Sequence, residues 1–138
     1  MSDPAANVAL VERAYGLWAE EGLEGLRAVM HEEVEWHPPP QAPEPGPFRG
    51  PDEIVRVASS YMESFGEFRP VPDRIIPAAD PDEVLVLATL TTVGRESGAA
   101  FTMPVGHLLT IRDGLVVRFR VIPDRGEALA AAGVEDPG

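Results

Sequence analysis

Three histidines, His31, His37 and His107, are the only side chains of this 138-residue sequence whose ordinary pKa lies near neutrality, since it contains no cysteine. Of these, His37 closes the apolar-polar string Val34-Glu35-Trp36-His37 and is followed directly by Pro38-Pro39-Pro40. An imidazole fixed there could take a proton from a carbon or hydroxyl acid without extreme tuning, so His37 is the candidate catalytic base. Its ordinary alternative is an imidazole hydrogen-bonded to backbone. His107 shares strand parity with Val105, Leu109 and Ile111, which favours a satisfied histidine on a packed or dimer-facing surface over a role as an acid. His31 falls at a helix end, where an imidazolium suits the macrodipole.

Other chemistries find no support. The histidine spacing contains no H-E-x-x-H string and no pair four apart on a helix, so no metal is expected. No G-x-S-x-G elbow is present, Ser59, Ser60 and Ser64 fall inside a predicted helix, and no glycine-rich phosphate loop is visible, so no cofactor is expected either. A ligand-binding wall is better supplied. Tyr15, Trp18, Tyr61, Met62, Phe65, Met103, Phe119 and Val121 are the candidates, although cavity lining and plain core share the same sequence pattern.

The elements that must position these residues follow from periodicity. Asp3-Pro4 reads as a cap and first helical position, and Val8, Val11, Tyr15 and Trp18 then recur at helical spacing over residues 4–20. After Gly22 a short second helix is predicted over 23–31, then a strand over 34–37. Residues 38–50 contain six prolines and form a stiff loop, predicted to border a pocket mouth as a lid. Ile54, Val57, Tyr61, Met62 and Phe65 give a third helix ending near Gly66. Four β-rich runs follow, over 69–78, 83–95, 99–112 and 115–123, with Asp113-Gly114 as a hairpin signal. A last helical turn over 124–132 is closed by Gly133.

Helices first and a β-meander afterwards predict an α+β fold in one domain, residues 1–138, with a cone-shaped curved antiparallel sheet packed against three N-terminal helices. This order, with the strings Tyr15-Gly16-Leu17-Trp18-Ala19-Glu20-Glu21-Gly22-Leu23, Val34-Glu35-Trp36-His37-Pro38, Phe48-Arg49-Gly50 and His107-Leu108-Leu109-Thr110-Ile111-Arg112-Asp113-Gly114, resembles the SnoaL-like branch of the nuclear-transport-factor-two-like superfamily. The resemblance implies a conical barrel with a ligand pocket, frequent homodimerisation through the outer sheet face, and relatives among polyketide cyclases, ketosteroid isomerases and epoxide hydrolases. It also implies roles by position. The base of the ketosteroid isomerases falls at His37, their acid near Gly106, and their tyrosine near Ala14 with Tyr15 one place along, which speaks against steroid isomerisation in that form. The two aspartates and arginine of the epoxide hydrolases find no inward positions.

Charge narrows the partners. Eleven basic against twenty-three acidic residues give a formal charge of −12, which repels phosphate backbones and anionic lipid. No nucleic acid and no membrane partner is expected, and the sequence reads as a cytoplasmic protein. The expected partner is a small apolar or oxygenated organic molecule, turned over by an isomerase, cyclase or lyase that uses His37. The alternative is a non-catalytic ligand-binding or dimeric assembly domain. Strands such as 84–93, apolar on both parities, predict a homodimer.

Overall fold

The computed structural model describes residues 3–40, 42 and 46–136. In chain order its elements are helix α1 (Pro4–Glu21), a 3₁₀ helix (Leu23–Val29), strands β1 (Met30–His37) and β2 (Phe48–Arg49), helix α2 (Pro51–Met62), strands β3 (Phe65–Pro77), β4 (Glu83–Gly94), β5 (Ala100–Arg112) and β6 (Leu115–Ile122), and helix α3 (Arg125–Ala132). Local chemistry sets the boundaries. The Asp3 carboxylate accepts from the Ala5 N–H at 3.0 Å, and Gly22, at φ +71°, closes α1 by donating to the Trp18 carbonyl. Asp124 caps α3 through the Glu127 N–H at 2.8 Å, and Gly133 ends it in the left-handed conformation. The predicted second helix is the 3₁₀ segment, and the third stops at Met62, so Phe65 opens a strand instead of closing a helix. No helix among the described residues is long and apolar enough to cross a membrane.

The six strands form one sheet in the order β2-β1-β6-β5-β4-β3, antiparallel throughout except for β1 beside β6. Register shifts interrupt β1/β6, β3/β4 and β5/β6. Each such irregularity adds local bend and twist, which curls thirteen-residue strands such as β3 and β5 into a half-barrel, the α+β cone predicted from the element order. Prolines sit where a missing N–H costs little. Pro70 and Pro72 lie on edge strand β3, and Pro104 lies in β5 beyond Gly106, where β6 has already ended opposite Ile122.

The two faces of the sheet have different partners. Val86, Ala88, Val105, Leu109 and Val116 join Val11, Tyr15, Val34 and Ile54 in an inner core against the helices. Leu85, Leu87, Leu108 and Ile122 face outward, and α3 covers them with Ala128, Leu129 and Ala132. The double apolarity of β4, which motivated the homodimer, thus has a cause inside the chain over its first half. Close approach of α3 depends on Gly106, because a Cβ there would stand 2.5 Å from the Ala128 Cβ and 3.0 Å from the Ile122 carbonyl oxygen. Gly106→Ala is therefore expected to lower unfolding free energy by about 1–3 kcal/mol, measured by urea denaturation, through displacement of α3.

Candidate functional site

Curling of the sheet around α1 and α2 leaves a cavity of about 450 Å³ between them. All seven predicted wall residues, Tyr15, Trp18, Tyr61, Phe65, Met103, Phe119 and Val121, line it, and Met62 does as well. Among the described residues no lining side chain carries a charge at neutral pH. The predicted base is elsewhere: His37 is not among the lining residues. In the parallel register with β6, Trp36 pairs with Phe119 and His37 with Arg120. Trp36 and Phe119 both face the cavity, and the alternating pleat sends His37 to the opposite face. Trp36 thus faces into the cavity, and His37, the candidate base, faces away from it. Its imidazole Nε2 lies 3.0 Å from Glu35 Oε1, and Arg49 Nη2 lies 3.2 Å from the other oxygen of that carboxylate. The hydrogen bond to His37 is the main influence that holds the Glu35 carboxyl below its ordinary pKa, helped by Arg49.

The polar group inside the cone is a pair that the sequence reading separated. Tyr15, on the sheet-facing side of α1, and His107, on the inner parity of β5, are hydrogen-bonded through the phenol oxygen and imidazole Nδ1. They retain 8% and 5% of their surface. The rings lie nearly parallel with centroids 6.0 Å apart, and Phe119 covers the other side of His107 at 4.7 Å. Burial disfavours the charged form of each, so the phenol pKa is raised far above its ordinary value and that of His107 falls to about 3. At neutral pH the site is an uncharged pair sharing one proton-mediated contact. His107 Nε2 bonds no protein group, yet among the described residues no buried side-chain nitrogen or oxygen is sealed off without a partner. Nε2 therefore keeps surface open to the cavity that His107 lines.

Sequence reasoning singled out His107 but favoured a packed or dimer-facing place for it, and it missed Trp36 and Thr92, which also line the cavity. The available signal for His107 was its parity with Val105 and Leu109, which are cavity residues themselves. Of the proline loop, Pro39 lines the cavity, while residues 41 and 43–45 lie outside the described residues. Among the described residues no group of three or more His, Asp or Glu side chains could hold a metal ion.

Residues 11–119 match the SnoaL-like domain family. No curated protein sequence matches the chain. Among solved structures, an NTF2-like protein of unknown function from Burkholderia pseudomallei is similar at 22% identity and TM-score 0.76, over 92% of this chain and 97% of that one. TerC, co-crystallized with polyporic acid, is similar at 25% identity and TM-score 0.75, again over 92% and 97% of the two chains. A protein of ketosteroid isomerase-like fold from Catenulispora acidiphila, in complex with trimethylamine, is 14% identical at TM-score 0.70, over 91% and 93%.

Neutral burial of His107 fixes a pH dependence. The unfolded imidazole gains a proton as pH falls below its ordinary value of 6.5, whereas the folded one resists until about 3. The stability contribution of the neutral form is thus complete above pH 6.5 and lost as pH falls towards 3, by on the order of 5 kcal/mol. Chemical denaturation between these limits is expected to show a steep acid loss that His107→Gln flattens.

Proposed function

This chain belongs to the SnoaL-like domain family, and from that premise we propose that it binds a small, largely apolar organic molecule inside the cone, with a ligand oxygen received by the Tyr15–His107 pair. The observation that carries this reading is the cavity-facing His107 Nε2, an unpaired polar atom in an otherwise apolar enclosure. With the Tyr15 O–H donating to Nδ1, Nε2–H donates to a ligand carbonyl. In the other tautomer Nε2 accepts from a ligand hydroxyl, and Nδ1–H donates to the phenol oxygen. Either arrangement suits a neutral oxygen function.

The same geometry favours polarisation over proton abstraction. An imidazole with a pKa of about 3 is a poor base at neutral pH, because catalysis is best when donor and acceptor are matched to the medium. Trp36 faces the cavity beside the position expected to hold the base, and no carboxylate among the described residues lines the wall. By contrast, Tyr15 and His107 stand one residue along from Ala14 and Gly106, the places expected for the two oxyanion donors of the ketosteroid isomerases. The supported chemistry is therefore hydrogen-bond donation to a carbonyl or developing oxyanion, and an isomerase, cyclase or lyase step on this ligand would draw on it. The likeness to TerC supplies a first probe in polyporic acid.

Calorimetric titration with polyporic acid and a panel of neutral phenols and aryl ketones tests the proposal. At least one compound is expected to bind, with affinity reduced roughly fivefold in Tyr15→Phe and further in His107→Phe. His37→Ala is expected to leave binding unchanged and to alter stability by less than about 1 kcal/mol, as for a surface ion pair. Equal affinity in folded Tyr15→Phe and His107→Phe variants would refute the role of the pair.

A further inference from the structure

A second unpartnered polar group lies far from the first. Thr92 retains only 6% of its surface and lines the cavity, and its hydroxyl bonds no other side chain among the described residues. Because no buried side-chain oxygen among the described residues is sealed without a partner, this hydroxyl too keeps surface open to the cavity. The ladder fixes its distance from the Tyr15–His107 pair. On β4, Val86 stands opposite His107, while Thr92 stands opposite Phe101 on one side and Phe68 on the other. Six residues of strand separate the two positions, a path on the order of 20 Å that the curl of the sheet shortens in a straight line. Leu90, Met103 and Val105 line the interval between them and offer no polar atom from their side chains.

We infer that the cavity selects an elongated, uncharged ligand with an oxygen function at each end, one received by Tyr15–His107 and the other by Thr92. The inference rests on the binding reading above and adds a second recognition point, with Thr92 as a specificity residue. Two further observations set the charge. Taking an ion into a wall without a compensating charge is costly, which excludes carboxylates and phosphates. The same cost falls on an organic cation, since no described lining side chain offers it an opposite charge. Tyr61, Phe65 and Phe68 pack on one another with centroids 5.4 to 6.0 Å apart, an arrangement that uses these rings in contacts with each other. A hydroxyl or carbonyl has no such requirement and needs only the threonine.

Titration of the full chain with para-phenylphenol, with the diols para-biphenol and its three-ring homologue, and with para-phenylbenzoate and trimethylamine tests this. In the parent chain, at least one diol is expected to bind roughly fivefold more tightly than para-phenylphenol, while the carboxylate and the amine bind much more weakly than the mono-phenol. Thr92→Val keeps the side-chain shape and removes the hydroxyl. It is expected to abolish the advantage of the diol while leaving the affinity for para-phenylphenol unchanged, and an unaltered melting temperature will show that the fold is intact. Para-phenylphenol binding without any diol advantage, or a diol advantage that survives Thr92→Val, overturns the two-ended ligand and leaves the binding reading standing. Preferred binding of the carboxylate or the amine overturns the charge assignment. Failure of every phenol to bind refutes both.

Discussion

A histidine inside an apolar cone must stay neutral, and much of the site follows from that requirement. Burial takes His107 out of bulk solvent, so its charged form is disfavoured and its pKa falls to about 3. The hydrogen bond with Tyr15 satisfies one ring nitrogen and at the same time fastens α1 to the centre of the sheet across ninety-two residues of chain. What remains is one nitrogen directed at open space. An apolar replacement of the pair would fill the same volume at less desolvation cost, and the proposed ligand contact is what the pair would supply beyond packing.

The surroundings of this pair illustrate how alternation divides labour on one strand. His107 faces the cavity while its neighbour Gly106 faces outward and lets α3 settle against the sheet. One residue places a polar group at the cavity, and the next permits the packing that covers the back of the strand. The register shifts do comparable work on a larger scale, since without them a flat sheet would lie along α1 and α2 with no enclosed volume between. The outward ion cluster of Glu35, His37 and Arg49 sits on the opposite face of β1 from the cavity wall. It is partly exposed to solvent and therefore electrostatically remote from the ligand site.

Much of the architecture was legible because its signals are local. Asp3-Pro4, Gly22, Asp113-Gly114 and Gly133 each act through backbone geometry that a short string specifies, and the element order follows from them. The aromatic wall was legible too, since helical spacing selects Tyr15, Trp18 and Tyr61 together. Facing was harder. The parity of a short strand must be anchored to its neighbour, and β1 contains a register irregularity between Met30 and Glu35 that no local pattern announces. His37 was the candidate base, yet its pairing with Arg120 turns it away from the cavity. The resemblance put the donor positions near Ala14 and Gly106, an offset of one residue from the Tyr15–His107 pair proposed for that role. On a helix such an offset turns a side chain by about 100°, and on a strand it changes the face altogether. Thr92 gave no signal, because a buried threonine without a partner differs from a satisfied one only in three dimensions.

The central claim is that His107 is neutral, bonded to Tyr15 through Nδ1, and open to the cavity through Nε2. Nitrogen-15 NMR of the histidine side chains, followed from pH 8 to pH 4 with and without a bound phenol, measures all three properties directly. The account predicts that His107 does not titrate above pH 4, that one neutral tautomer persists, and that ligand addition perturbs Nε2. Protonation of His107 near its ordinary value of 6.5, or Nε2 shifts indifferent to a ligand shown to occupy the cavity, would contradict it.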